Sequence, residues 1–152
     1  MSIIRLSART TATARQVLAA LTDFGPGRSK LFPNSADDNF VVHRIDEHSA
    51  DVTEGSGGIW ERLTYDWSDP HEIVMTTTDS NVWGGASGHV YVIATNADGT
   101  TSVDATVTRE GKNVKGRVIG LLLGTVGKSA LTSAFRHTIA EIEKRNATKP
   151  ST

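Results

Sequence analysis

The sequence contains no cysteine, which removes disulfide scaffolds, zinc knuckles, thiol nucleophiles and iron–sulfur clusters in one step. Its five histidines, at 43, 48, 71, 89 and 137, form neither an HExxH motif nor any i, i+4 pair, so no metal site is expected. Ser87, in Gly85-Ala-Ser-Gly-His89, lacks the GxSxG spacing of a nucleophile elbow. Gly-Lys-Asn at 111–113 is not a phosphate-binding loop, and no GxGxxG follows a strand-like run. Nucleotide chemistry is therefore unsupported, and no cofactor is expected. The apolar run 118–127 is about half of the ~20 residues that a membrane span needs. The start, Met1-Ser-Ile-Ile-Arg-Leu-Ser7, has no basic leader region and no long apolar stretch, so the cytosol is the expected compartment.

What is present fits one globular domain. A chain of 152 residues with 38% hydrophobic and 22% charged side chains can bury a real core without staples. The net charge of −1 hides a split: residues 1–111 carry 8 basic and 15 acidic side chains, residues 112–152 carry 8 and 2. No basic run exceeds two adjacent residues, so the split reads as a basic C-terminal helix on an acidic sheet. No nucleic-acid partner is expected.

Residues 3–8 read as a first strand. Thr13-Ala-Arg-Gln16 has the spacing of a capping box, and Val17, Leu18, Leu21 and Phe24 follow at helical spacing, predicting a helix over 12–24 that Gly25-Pro26 stops. A short helical turn over 27–32 follows. Six strands are then predicted at 39–46, 49–55, 58–67, 71–79, 87–96 and 101–110, cut by short turn signals that favour an antiparallel meander. Asn113 is a good N-cap for a helix reaching about residue 145. The domain spans 1–146, and 147–152 form a polar tail.

Four of the 14 glycines fall at 116, 120, 124 and 127, on one stripe that continues through Leu131, Phe135 and Ile142. Each costs about 1 kcal/mol against alanine inside a helix, so the stripe needs a reason. Three remain open: close packing against another backbone, room for a pocket beneath the helix, or a kink near 124–127.

The order of elements, the Gly55-Ser-Gly-Gly58 turn and the long amphipathic terminal helix resemble the START-like helix-grip superfamily, in its polyketide cyclase/dehydrase and lipid-transport branch. The resemblance implies an α+β domain: a seven-stranded curved antiparallel sheet gripping the last helix, two short helices between strands 1 and 2, and an apolar cavity. Members bind sterols, lipids, hormones or polyketides, and some are aromatase/cyclases. The expected function is binding of a small hydrophobic ligand by a monomer or homodimer. The alternatives are a cyclase or dehydratase, and an interaction module using the basic terminal helix.

In such a meander the turns 55–58, 80–86 and 110–113 share one end with 33–38, and that end resembles the family's cavity mouth. Trp83 is expected there, as a lid or folded onto the rim. Alternation turns Glu61, Leu63, Tyr65 and Trp67 inward on one strand and Val103, Ala105, Val107 and Arg109 inward on another, with Glu61 and Arg109 near the mouth. There they can pair, or one can meet a ligand carboxylate or hydroxyl. For 87–96 either Val90, Val92 and Ala94 or His89, Tyr91 and Ile93 face in, since a one-residue register shift exchanges them. Glu61, His89, Tyr91 and Arg109 are the acid–base candidates. Leu63, Tyr65, Met75, Val107, Leu121, Leu122 and Thr125 are the expected cavity walls.

Overall fold

The computed structural model describes residues 1–33, 35–124 and 127–147. In chain order these form β1 (Ser2–Thr10), α1 (Ala14–Leu21), α2 (Arg28–Leu31), a 3-10 turn at Asp37–Asn39, β2 (Val41–Ile45), β3 (Ser49–Ser56), β4 (Ile59–Asp66), β5 (Glu72–Ser80), β6 (Gly88–Thr95), β7 (Thr101–Arg109), α3 (Val114–Gly124) and α4 (Lys128–Ala147). The sheet order is β1-β7-β6-β5-β4-β3-β2 and every pairing is antiparallel, so the chain lays a six-strand meander and closes it with the N-terminal strand. This is the expected α+β arrangement.

Local chemistry sets the boundaries. The Thr13 hydroxyl accepts from the Gln16 amide at 3.1 Å, and the Gln16 side chain accepts from the Thr13 amide at 2.8 Å, closing the capping box that starts α1. The β3–β4 hairpin turns on Gly57 and Gly58, whose φ of 60° and 80° is the pair of positive values that a type I′ two-residue turn requires. A bulge between Arg62 and Leu63 bends the sheet near its centre. The inner face carries Ala50, Val52, Leu63, Tyr65, Ile73, Met75, Ile93, Val103 and Ala105, which form one core with Val17 and Leu21 of α1, Leu31 of α2, and Phe135, Ile139 and Ile142 of α4.

The C-terminal segment departs from a single straight helix. It forms two helices, α3 and α4, inclined by 73°. The Gly127 amide bonds back to the Leu122 carbonyl at 2.7 Å, a bond that closes a helix end rather than extending it. Of the three readings of the glycine stripe, the kink thus describes its C-terminal end. Close packing describes its start: a Cβ on Gly116 would stand 2.1 Å from the Val82 carbonyl oxygen. That approach is locked by Asn113, which accepts from the Gly116 amide and donates to the Asn81 carbonyl. Among the described residues no single helix is long and apolar enough to cross a membrane.

Gly116 and Gly120 therefore differ in what they tolerate. A Cβ on Gly120 would meet the Trp83 ring at 3.5 Å, an ordinary contact. Gly120→Ala should hold or raise the melting temperature by a few degrees, since it recovers up to about 1 kcal/mol of helix propensity. Gly116→Ala should lower it, because the Val82 backbone has to move. Thermal denaturation of the two variants compares them directly.

Candidate functional site

One end of the inner face is not filled. A cavity of about 320 Å³ lies between the sheet, α3 and α4, on the side of the β3–β4 hairpin. Leu6 of β1, Ala105 and Val107 of β7, Ile119 and Leu123 of α3, and Leu131, Ala134 and Phe135 of α4 make its apolar wall. Glu54, Glu61, His89, Tyr91 and Arg109 supply polar groups, and Pro33, Ser35, Gly55, Ser56 and Trp60 lie at the hairpin end. The opposite end is closed by α1 and the segment after it: the Phe24 ring packs edge-on against Tyr65 at 5.0 Å and lies 6.1 Å from Trp67.

The polar groups form two clusters. In the first, Arg109 donates through both terminal nitrogens to Glu61, each at 2.9 Å, and Thr77 donates to the same carboxylate at 3.0 Å. The Arg109 Nη2 also lies 2.8 Å from His89 Nε2. Guanidinium nitrogens only donate, so Nε2 accepts and the His89 proton sits on Nδ1. The Trp83 ring lies 5.1 Å from the Arg109 guanidinium, a cation–π contact. Burial would raise the Glu61 carboxyl, but Arg109 and the hydrogen bonds outweigh it and hold the group below the usual range, hence ionised. Burial, reinforced by the Arg109 charge, pushes the His89 imidazole down to about 4 against the pull of Glu61. His89 is neutral at pH 7.

In the second cluster, Tyr65 donates to Glu54 at 3.0 Å and accepts from Arg28 Nη2 at 2.8 Å. Arg28 is 3% exposed, with its guanidinium 4.6 Å from both the Phe24 and Phe32 ring centroids and 5.5 Å from that of Phe40. It donates to the carbonyls of Leu21 and Asp23, while its Nε, 3.6 Å from the Glu54 carboxylate, is a buried nitrogen without a hydrogen bond. Glu54 is the register partner of Glu61 across β3–β4. Burial raises its carboxyl, and repulsion from Glu61 adds to that, against the opposing charge of Arg28. Between the clusters, Tyr91 is pushed up to about 12 by burial and by the Glu54 charge.

The structure brings all four acid–base candidates, Glu61, His89, Tyr91 and Arg109, to the cavity wall, and selects the register of β6 in which His89, Tyr91 and Ile93 face in. Val107 and Trp83 line the cavity as well. Trp83 is wall rather than lid, because Ser80 Oγ accepts from the Val82 and Trp83 amides, the Gly84 amide bonds to the Glu110 carbonyl, and the indole is 4% exposed. Leu63, Tyr65 and Met75 face inward but belong to the packed core and not to the cavity wall, Tyr65 lying against the Phe24 ring. Leu121 and Leu122 do not line it; they are 68% and 51% exposed, because Ile119 and Leu123, one turn apart, define the inward side of α3. Thr125 lies outside the described residues. Glu54 and Arg28 were not among the sequence candidates. Glu54 had a signal, since Ala50, Val52 and Glu54 alternate onto one face; Arg28, in a four-residue helix, had none. No group of three or more His, Asp or Glu that could hold a metal ion occurs among the described residues.

No family model matches the sequence, and no curated protein is similar to it in sequence. Solved structures are similar to it in shape. A START superfamily protein from Mycobacterium smegmatis superposes with a TM-score of 0.70 at 11% identity, over 93% of this chain and 99% of that one. The fold is the START-like helix grip. The Zhui aromatase/cyclase from Streptomyces sp. R1128 shares the helix grip with a TM-score of 0.72 at 14% identity, over 94% of each chain. A protein from Thermus thermophilus does so at 0.70 and 14%, over 97% of this chain and 99% of that one. At these identities the likeness is one of fold.

Two measurements follow from the Glu61–Arg109–His89 cluster of this helix grip. Removing either charge strands the other in a largely buried place, so Glu61→Gln and Arg109→Met should each cost about 3 kcal/mol or more in urea denaturation. The double variant should cost clearly less than the sum, because neither charge is then left alone. The second concerns pH. An unfolded histidine takes up its proton near 6.5 and folded His89 only near 4, so between those values the unfolded state binds more protons. Stability from this group is complete above about pH 6.5 and falls as pH drops toward 4. His89→Gln, which keeps an acceptor for Arg109, should lose less stability over that window than the parent protein in denaturation curves.

Proposed function

We propose that the protein binds a small, mainly apolar ligand with one polar end in the cavity beneath α3 and α4. The observation that carries this reading is the cavity itself: about 320 Å³, walled by aliphatic and aromatic side chains, with the polar groups concentrated on β3, β4, β6 and β7. That volume lies at the low end of the 300–1,000 Å³ of small-molecule sites and suits a compact system of two or three fused rings, polyketide-like, better than a full sterol or a two-chain lipid. Apolar burial would supply the affinity, at about 25 cal/mol per Å² removed from water. The polar cluster would set the orientation. The shared fold with a START protein and with an aromatase/cyclase supports the same reading.

A second reading, acid–base catalysis of the cyclase or dehydratase kind, is favoured by one observation. Glu54, its carboxyl raised, and Glu61, held ionised, line the same cavity, and such a split environment separates an acid from a base. Against it, His89 near 4 and Tyr91 near 12 lie far from the neutral range in which proton transfer is efficient. Binding is the better supported of the two.

The test is uptake of 1-aminoanthracene, a neutral fluorescent ring compound, by the purified protein. The expected result is saturable binding with a fluorescence increase, abolished in Ala134→Trp, which fills the cavity from α4. Equal binding by Ala134→Trp, shown to be folded by its melting curve, would count against this site.

A further inference from the structure

We propose that the cavity selects an uncharged ligand bearing a hydroxyl or phenol group and rejects the matching carboxylate and ammonium compounds; this rests on the binding reading above. The argument is one of charges already committed. An acidic ligand needs a cation, and the cavity's own cation, Arg109, is held by Glu61 through two hydrogen bonds and also faces His89. Arg28, the other buried cation, stands outside the lining, enclosed by the rings of Phe24, Phe32, Phe40 and Tyr65 and set against Glu54. An incoming carboxylate would instead meet Glu54 and Glu61, paired side by side across β3–β4. A cationic ligand fares no better. The Glu61 charge is matched by Arg109 and that of Glu54 is balanced by buried Arg28 3.6 Å away, so an added ammonium charge finds no unmatched acid among the lining residues described.

A neutral hydroxyl meets the reverse situation. The Tyr91 hydroxyl lines the cavity and makes no hydrogen bond among the described residues. It keeps its proton far above neutral pH, so it is available as a donor. Glu54 accepts one good hydrogen bond, from Tyr65 on Oε1, and a long one of 3.5 Å from Ser35 on Oε2. A carboxylate has room for more. Tyr91 and Glu54 line the same cavity, and the Glu54 charge adds to burial in raising the phenol. A ligand hydroxyl is donor and acceptor at once: it can accept a hydrogen bond from the Tyr91 hydroxyl and donate one to the Glu54 carboxylate. Neither a carboxylate nor an ammonium group can do both.

Four compounds on one skeleton test this by calorimetry at pH 7 with the full chain: naphthalene, 2-naphthol, 2-naphthoate and 2-naphthylmethylammonium. The expected order has 2-naphthol about tenfold or more tighter than either ion and about fivefold tighter than naphthalene, as for a site whose polar groups are built for a hydroxyl. Tyr91→Phe should bring the affinity ratio of naphthol to naphthalene to within about twofold of one, and Glu54→Gln should lower it too. Ratios are read within each variant, so a general loss of affinity does not mimic the effect. Tighter binding of either ion, or a ratio unchanged in both variants, overturns the proposal. Naphthalene binding with no preference for naphthol overturns it while leaving the binding reading in place. If none of the four binds, both fall together.

Discussion

Two carboxylates stand side by side near the β3–β4 hairpin, and two distant parts of the chain are brought in to answer them. Glu54 and Glu61 are direct register partners on β3 and β4, both turned to the inner face. Like charges so placed are unfavourable, and burial makes them more so. Each is answered by a guanidinium from a distant part of the chain. Arg109 comes from β7, separated from β4 in the sheet order by β5 and β6, so its contact with Glu61 crosses the inner face of a curled sheet. Arg28 comes from α2, outside the sheet altogether.

The second answer explains why a four-residue helix is held so firmly. A helix that short has no stability of its own. The Thr138 hydroxyl donates to the Leu31 carbonyl and Arg145 to the Gly27 carbonyl, while His137 Nε2 lies 2.7 Å from the Lys30 carbonyl, so α4 grips α2 by its backbone. Arg28 then projects inward among three phenylalanine rings, where its charge reaches Tyr65 and Glu54. Filling that end of the inner face with Arg28 and its rings leaves the vacant volume at the other end, under α3.

Much of this was legible in the sequence, for reasons that can be named. Strand limits followed from turn chemistry, and the inward sets of β4 and β7 followed from period-two alternation, because one side of each set is clearly the more apolar. The register of β6 was not legible, since Val90-Val92-Ala94 and His89-Tyr91-Ile93 are comparably apolar and only pairing with β5 and β7 decides. Glu54 is harder to read although Ala50 and Val52 point to its face, because a lone acid beside a glycine-rich turn reads as solvent-facing. Arg28 is a case of tertiary context alone, because no local pattern announces a buried arginine between Gly27 and Ser29. The break between α3 and α4 lay inside the glycine stripe, whose spacing also suits close packing, and Gly116 in fact serves that purpose.

The charge assignments bear on what kind of site this is. Glu61 is ionised, His89 neutral with its proton on Nδ1, and Tyr91 protonated, each fixed well away from neutral pH by burial and by its neighbours. Groups so fixed do not exchange protons with one another as pH varies around 7. They act as oriented polar groups, and on a largely apolar cavity wall such a group discriminates strongly between ligand ends. Glu54 differs from Glu61 in the outcome: burial and the Glu61 charge outweigh Arg28 and the Tyr65 hydrogen bond, and its carboxyl is shifted up rather than down. Any ligand group that settles beside it tips that balance, a hydrogen-bond donor toward the anion and an acceptor toward the acid. Glu54 is thus the carboxyl of the site shifted toward its acid form, and it lies on the wall where the polar end of a ligand would lodge.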